Sequence, residues 1–179
     1  KLSESKLSDN RNHFKPFNYP WAYDAFMQSE QMHWLWTEVP MIEDVNDWKN
    51  KLNSYCVGDY IFQLDADEMI TEYMVKNVTD IISMNEEVEL FFLPRINIVN
   101  GITQDHINRW GWRVDEIGRV NFPDFQGRIY KKGLEWQGRV HERIVGTKSY
   151  SLLPSDEESY CIKHYKDITK QEQQNEHNS

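Results

Sequence analysis

Basic residues are in deficit: 20 Lys and Arg stand against 29 Asp and Glu, a formal net charge of −9. That disfavours a general nucleic-acid binder, whose footprint is basic. A phosphorylated ligand held through a metal ion is still compatible with it. Cysteine is scarce as well. Cys56 and Cys161 lie far apart and form no C-x-x-C pattern. Two buried thiols in a reducing, cytoplasmic setting are therefore expected, not a disulfide. Long apolar runs are missing: Leu90 to Leu93 and Ile96 to Val99 are far too short to span a bilayer. The first residue is Lys and no signal peptide is visible, so the sequence is expected to be a fragment. What remains is globular in character. A hydrophobic fraction of 39% and an aromatic fraction of 13% are those of a packed domain, and 179 residues suffice for one domain or a small domain with an appendage.

The most organised stretch is Asp59-Tyr60-Ile61-Phe62-Gln63-Leu64-Asp65-Ala66-Asp67-Glu68. A short apolar run ends in three carboxylates within four residues, the pattern of a buried strand of an α/β sheet with acids at its carboxyl end. Period-2 geometry sends Asp65 and Asp67 to one side. Two such carboxylates repel unless a cation lies between them, and oxygen ligands suit Mg²⁺ or Mn²⁺. The plainer alternative is that these acids cap the following helix.

Around this stretch, residues 1–18 are polar and turn-rich. Helical patterns follow from Tyr19-Pro20-Trp21 and again over Ile42 to Leu52, where Ile42, Val45, Trp48 and Leu52 share a face. Beyond the acidic segment, Thr71 is a good N-cap for a helix to Ser83, and Val88 to Arg95 reads as a strand whose end Pro94 turns into an edge or exit. Residues 96–125 read as a long loop with tucked aromatics. The competing reading makes Trp110 and Trp112 a wall on which sugar rings stack. Phe125 to Lys131 and Glu158 to Tyr165 read as later strands, followed by a polar helical tail.

Two resemblances attach to these residues. Leu64-Asp65-Ala66-Asp67-Glu68, with the F-x-x-R-x-Y of Phe125 to Tyr130 and the W-x-G-x-V-H-E of Trp136 to Glu142, resembles family 2 glycosyltransferases of the GT-A fold. Separately, Arg11 to Phe17, Tyr19 to Asp24, Gln31 to Trp34 and Glu38-Val39-Pro40 resemble the N-terminal segment of a ribonucleotide reductase small subunit, over roughly residues 11–52. Glu30 and His33 form an E-x-x-H pair there, ahead of where that family places its metal ligands, so a packing or surface role is expected for both.

The combined expectation is an α/β chain: residues 1–53 a helical segment, and 54–179 a truncated GT-A-like (Rossmann-like) sheet with flanking helices. The glycosyltransferase resemblance implies sugar transfer from a nucleotide-sugar donor to a glycan or other hydroxyl acceptor. It implies Asp65, Asp67 and His164 as ligands of Mg²⁺ or Mn²⁺, Glu142 as base, and Arg128, His141, Trp110 and Trp112 as substrate contacts. The strand and helix that would hold the donor's base are missing upstream, so the chain is expected to be inactive alone. Plainer roles stand beside these: a salt bridge from Glu142 to Arg139 or Arg143, a solvated Arg128, a satisfied core histidine at His141. Two other readings compete, a reductase small-subunit fragment and a non-catalytic carbohydrate-binding module.

Overall fold

The computed structural model describes residues 45–65, 67–138, 142–169 and 171–172. Across these the chain is mixed α/β. Three helices, α1 (Val45–Tyr55), α2 (Glu72–Ser83) and α3 (Gln104–Trp110), accompany a curled six-stranded sheet and a separate two-stranded one. No helix among the described residues is long and apolar enough to cross a membrane.

The large sheet runs β1 (Tyr60–Phe62), β4 (Val120–Lys131), β3 (Leu90–Asn100), β8 (Ile162–Asp167), β2 (Glu68–Met69), with β7 (Tyr150–Leu152) also on β3. Only β7 and β8 run parallel to β3; β1–β4, β3–β4 and β2–β8 are antiparallel. The α/β class is found, but a Rossmann-like or GT-A arrangement is not shown. In particular, the strand before the acids is a three-residue antiparallel edge held by β4 alone, and only Ile61 in it is buried. Register shifts at Phe91/Phe92 and Arg95/Asn97 put irregularities into the β3–β4 ladder, the kind of feature that bends a strand and sharpens its twist.

Pro94 sits inside β3, not at its exit, and is fully buried. The ladder explains how. The Phe92 carbonyl accepts from the Leu153 amide, so Phe92 and, two residues on, Pro94 turn their backbone groups towards the β7/β8 side. There β7 ends opposite Phe92 and β8 begins opposite Arg95, so the proline nitrogen falls where one partner strand hands over to the next. A missing donor costs little at that point.

The stretch read as a loop holds α3. Thr103 and His106 close a capping box at its start, and Gly111 ends it in the left-handed region at φ 63°. α2 forms as expected: Thr71 caps it by accepting from the Met74 amide at 3.2 Å, and Met74, Val75 and Val78 are its buried residues. β5 (Glu135–Gln137) and β6 (Arg143–Val145) make the small sheet.

Ile61, Leu90, Tyr130 and Trp136 form one core cluster, with Cys56, Phe92, Leu134 and Ile144 packed against it. Gly127 is part of how this cluster closes. A Cβ there would meet Leu90 Cδ1 at 3.1 Å, Phe92 at 3.5 Å and Ile144 at 3.6 Å. Gly127→Ala is therefore expected to cost about 1–3 kcal/mol by overpacking. Urea unfolding followed by tryptophan fluorescence measures it, and an unchanged midpoint would show that the neighbours yield freely.

Candidate functional site

The polar residues of the sheet gather on one connected network. β3 contributes Arg95 and Asn97, two residues apart and so on one face. β4 contributes Asp124, Gln126 and Arg128 by the same spacing. Register brings the rows together: Arg95 lies opposite Asp124, and His164 on β8 lies between Asn97 on β3 and Glu68 on β2.

Arg128 is 3% exposed, and one of its terminal nitrogens donates to both Asp65 Oδ2 and Glu68 Oε1 at 2.6 Å. Burial works against its charge, but the two carboxylates outweigh that and raise its pKa. The Glu68 side chain is wholly buried and also accepts from Arg95 at 3.1 Å. Arg95 turns its other donors on Asp124 Oδ2 at 3.0 and 2.7 Å, and that oxygen also accepts from Asn97 Nδ2 at 2.9 Å. Gln126 donates to the second Asp124 oxygen at 2.6 Å. Burial alone would raise the Asp124 pKa, but the bonds from Asn97, Arg95 and Gln126, with the Arg95 charge, bring it below the ordinary carboxylate value.

The donor pattern then fixes the histidine. Asn97 gives its NH₂ to Asp124, so its oxygen must accept, and it lies 2.8 Å from His164 Nδ1. Nδ1 therefore carries a proton, and Nε2 faces Asp67 Oδ2 at 3.2 Å. Burial and then the Arg95 charge push the His164 pKa down, against the pull of Asp67. In the neutral ring Nε2 has only a lone pair for Asp67, whose side chain is 57% exposed and open to solvent.

Of the residues expected from sequence, Asp65, Arg128, Asp67 and His164 all fall within this network. Asp65 and Asp67 do not converge on a shared cation site: the charge facing Asp65 is the Arg128 guanidinium, and Asp67 pairs with His164. Among the described residues no three His, Cys, Asp or Glu side chains group as a metal site. Glu142 lies apart from the network and forms an ion pair with Lys49 of α1, a partner outside the two considered from sequence. His141 lies outside the described residues, as do Glu30 and His33. Trp110 and Trp112 pack together at 4.7 Å between ring centroids, with His106 stacked on Trp110 at 5.3 Å.

Sequence reasoning missed Arg95, Asn97 and Gln126. The available signal was alternation on neighbouring strands, Arg95-x-Asn97 against Asp124-x-Gln126-x-Arg128, which marks one polar face.

The Asp124 environment gives a pH prediction. A carboxyl whose folded pKa is depressed contributes stability that is present above its unfolded pKa and lost as pH falls through the folded value. Acid titration of stability is therefore expected to show a loss below the ordinary carboxylate range that Asp124→Asn flattens. Identical pH profiles for both proteins would remove Asp124 as its source.

No protein-family model matches the chain. Among curated proteins, it is 32% identical over 163 aligned residues to the probable ribonucleoside-diphosphate reductase small subunit of Invertebrate iridescent virus 6, covering 85% of this chain and 43% of that relative. It is 46% identical over 48 residues to the protein of the same description in Invertebrate iridescent virus 3, covering 27% of this chain and 13% of that one. The chain thus spans less than half the length of either relative. Since 85% of the chain is about 152 residues, the first likeness extends well past residue 53 and into the strands.

These findings overturn the glycosyltransferase resemblance. The acidic segment and the Phe125–Glu142 motifs lie largely in the part over which the chain aligns with a reductase subunit, and no glycosyltransferase family model matches. Sugar transfer from a nucleotide-sugar donor falls with it. The physical reason lies in the sheet: the acids follow a short antiparallel edge strand, Asp65 and Glu68 are neutralised internally by arginine, and Asp67 faces His164.

Proposed function

We propose that this chain is a section of a protein related to ribonucleoside-diphosphate reductase small subunits, and that its role is to associate with that enzyme, not to carry out its chemistry. One observation carries the reading: the likeness to the viral relative continues from the N-terminal part through about a hundred residues of the strand-bearing part. Contacts within the fold are consistent with that continuity. α1, where the N-terminal resemblance ends, is tied to β5 by Asn50, whose side-chain amide donates to the Trp136 carbonyl at 3.0 Å and accepts from its amide at 2.9 Å. Asn53 of α1 takes part too, its oxygen 2.7 Å from the Tyr130 hydroxyl.

An associating role is favoured over a catalytic one because the described residues hold short helices and a sheet. Di-metal carboxylate sites instead draw their ligands from the facing long helices of a bundle. The full chain, mixed with the large reductase subunit from the same virus as the relative, is expected to co-elute with it on gel filtration. By itself the mixture is expected not to reduce ribonucleoside diphosphates. Separate elution at micromolar concentrations would remove the associating role, and reduction by the mixture would show that the chain carries the chemistry after all.

A further inference from the structure

A cavity of about 460 Å³ opens beside the polar network, between β3, β4 and β8. Its walls are mostly polar, with a smaller apolar share. Trp112, Pro123 and Phe125 are ring-bearing and apolar, whereas Arg95, Asp124 and Lys166 are charged. The charged residues are not equally committed. Asp124 already accepts four hydrogen bonds, and Arg95 already donates to two carboxylates. Lys166 is different. Its half-buried ammonium donates to the Gln171 side-chain oxygen at 3.1 Å, a neutral partner, and Asp67, Asp124 and Glu68 attract it without an ion pair among the described residues, against the repulsion of Arg95. A cation in a cavity wall that, among the described residues, makes a single hydrogen bond to a neutral partner is matched by an anionic group. The volume suits a small organic molecule, larger than a bare inorganic ion needs.

We propose that this cavity binds a small organic anion with a flat, apolar body, its charged group on Lys166 and its body against Trp112, Pro123 and Phe125. The shared chemistry is an aryl phosphate or an aryl carboxylate. The site stands on the cavity and on Lys166, and does not depend on the reductase reading.

Calorimetry on the full chain with naphthyl phosphate, naphthoate, neutral naphthol and inorganic phosphate tests it. Both naphthyl anions are expected to bind, with naphthol and inorganic phosphate each weaker by about tenfold or more. The ratio of the two anions shows which acid the site prefers. Lys166→Gln is expected to weaken the anions by about tenfold and to leave naphthol unchanged, which also reports that the variant is folded. Trp112→Ala should weaken all three naphthyl ligands, and Lys76→Gln, on the exposed face of α2, should weaken none. For the unmutated chain, raising KCl from about 0.05 to about 0.5 M should weaken the anions and spare naphthol. Naphthol binding as tightly as the anions, anion affinity indifferent to both Lys166→Gln and salt, or no binding of any probe would each overturn the proposal.

Discussion

Arg128→Ala is expected to lower the stability of the chain by about 3–5 kcal/mol, the cost of removing one partner from a buried ion pair. The size follows from what is left behind. The Glu68 side chain has no solvent exposure and would keep only Arg95, at 3.1 Å, and the Asp65 backbone amide, at 3.2 Å. Asp65 loses its guanidinium partner too, but at 39% exposure water can replace part of that contact. Most of the loss is thus the desolvation of Glu68. The paired variant Arg128→Met with Glu68→Leu removes both charges and should recover much of the loss, because a well-packed apolar pair of similar volume does not strand a buried ion. Arg128→Lys should recover part of the loss, since both bonds come from one terminal nitrogen and an ammonium placed there can donate to both carboxylates. Urea denaturation of the four proteins decides it. A single-variant loss below about 1 kcal/mol would mean that water reaches Glu68 on unpairing.

The same residues show how far the sequence could be read. Thr71 and the apolar spacing behind it specify α2 locally, and the helix forms one residue inside the expected range. The 96–125 stretch hid a helix whose signals were present: Thr103 and Gly111 stand eight residues apart, as cap and stop. They were overlooked because α3 buries none of its seven residues and so shows no apolar periodicity.

The acidic segment misled for a different reason. D-x-D after an apolar run is a local pattern, but what the carboxylates face is set by strands about 30 to 100 residues away, on β3, β4 and β8. Local reading asked which cation could neutralise them. Non-local pairing supplied arginines to Asp65 and Glu68 instead, and a histidine to Asp67. The half-buried state of Asp65 beside a fully buried Glu68 follows from where β2 pairs with β8, which no spacing in that segment reveals.

The second large effect is expected at Trp136. Its replacement by Ala should cost about 3–5 kcal/mol, as for other large aromatic truncations in a core. Trp136 is 4% exposed, lies edge-on to Tyr130 at 6.0 Å, and donates from its indole nitrogen to the Tyr130 hydroxyl at 3.1 Å. That hydroxyl also lies against Asn53 and Gln63, and burial pushes its pKa up to about 12, so it remains a neutral phenol across ordinary pH. Lys49 sits over the indole at 4.2 Å while paired with Glu142. Removing the ring therefore unsettles the core cluster, a hydrogen-bonded phenol and a buried ammonium together. All three involve α1 or the strands it docks on, so the damage should concentrate there. Limited proteolysis of Trp136→Ala is expected to cut between residues 45 and 59 sooner than in the unaltered chain, before the rest of the sheet is lost. Trp136→Phe keeps the packing but not the indole donor, and should leave that cleavage slow. If Trp136→Ala is cut no faster in that interval, then Asn50 and the Lys49–Glu142 pair suffice to hold the helix, and the core and the helix dock are separable.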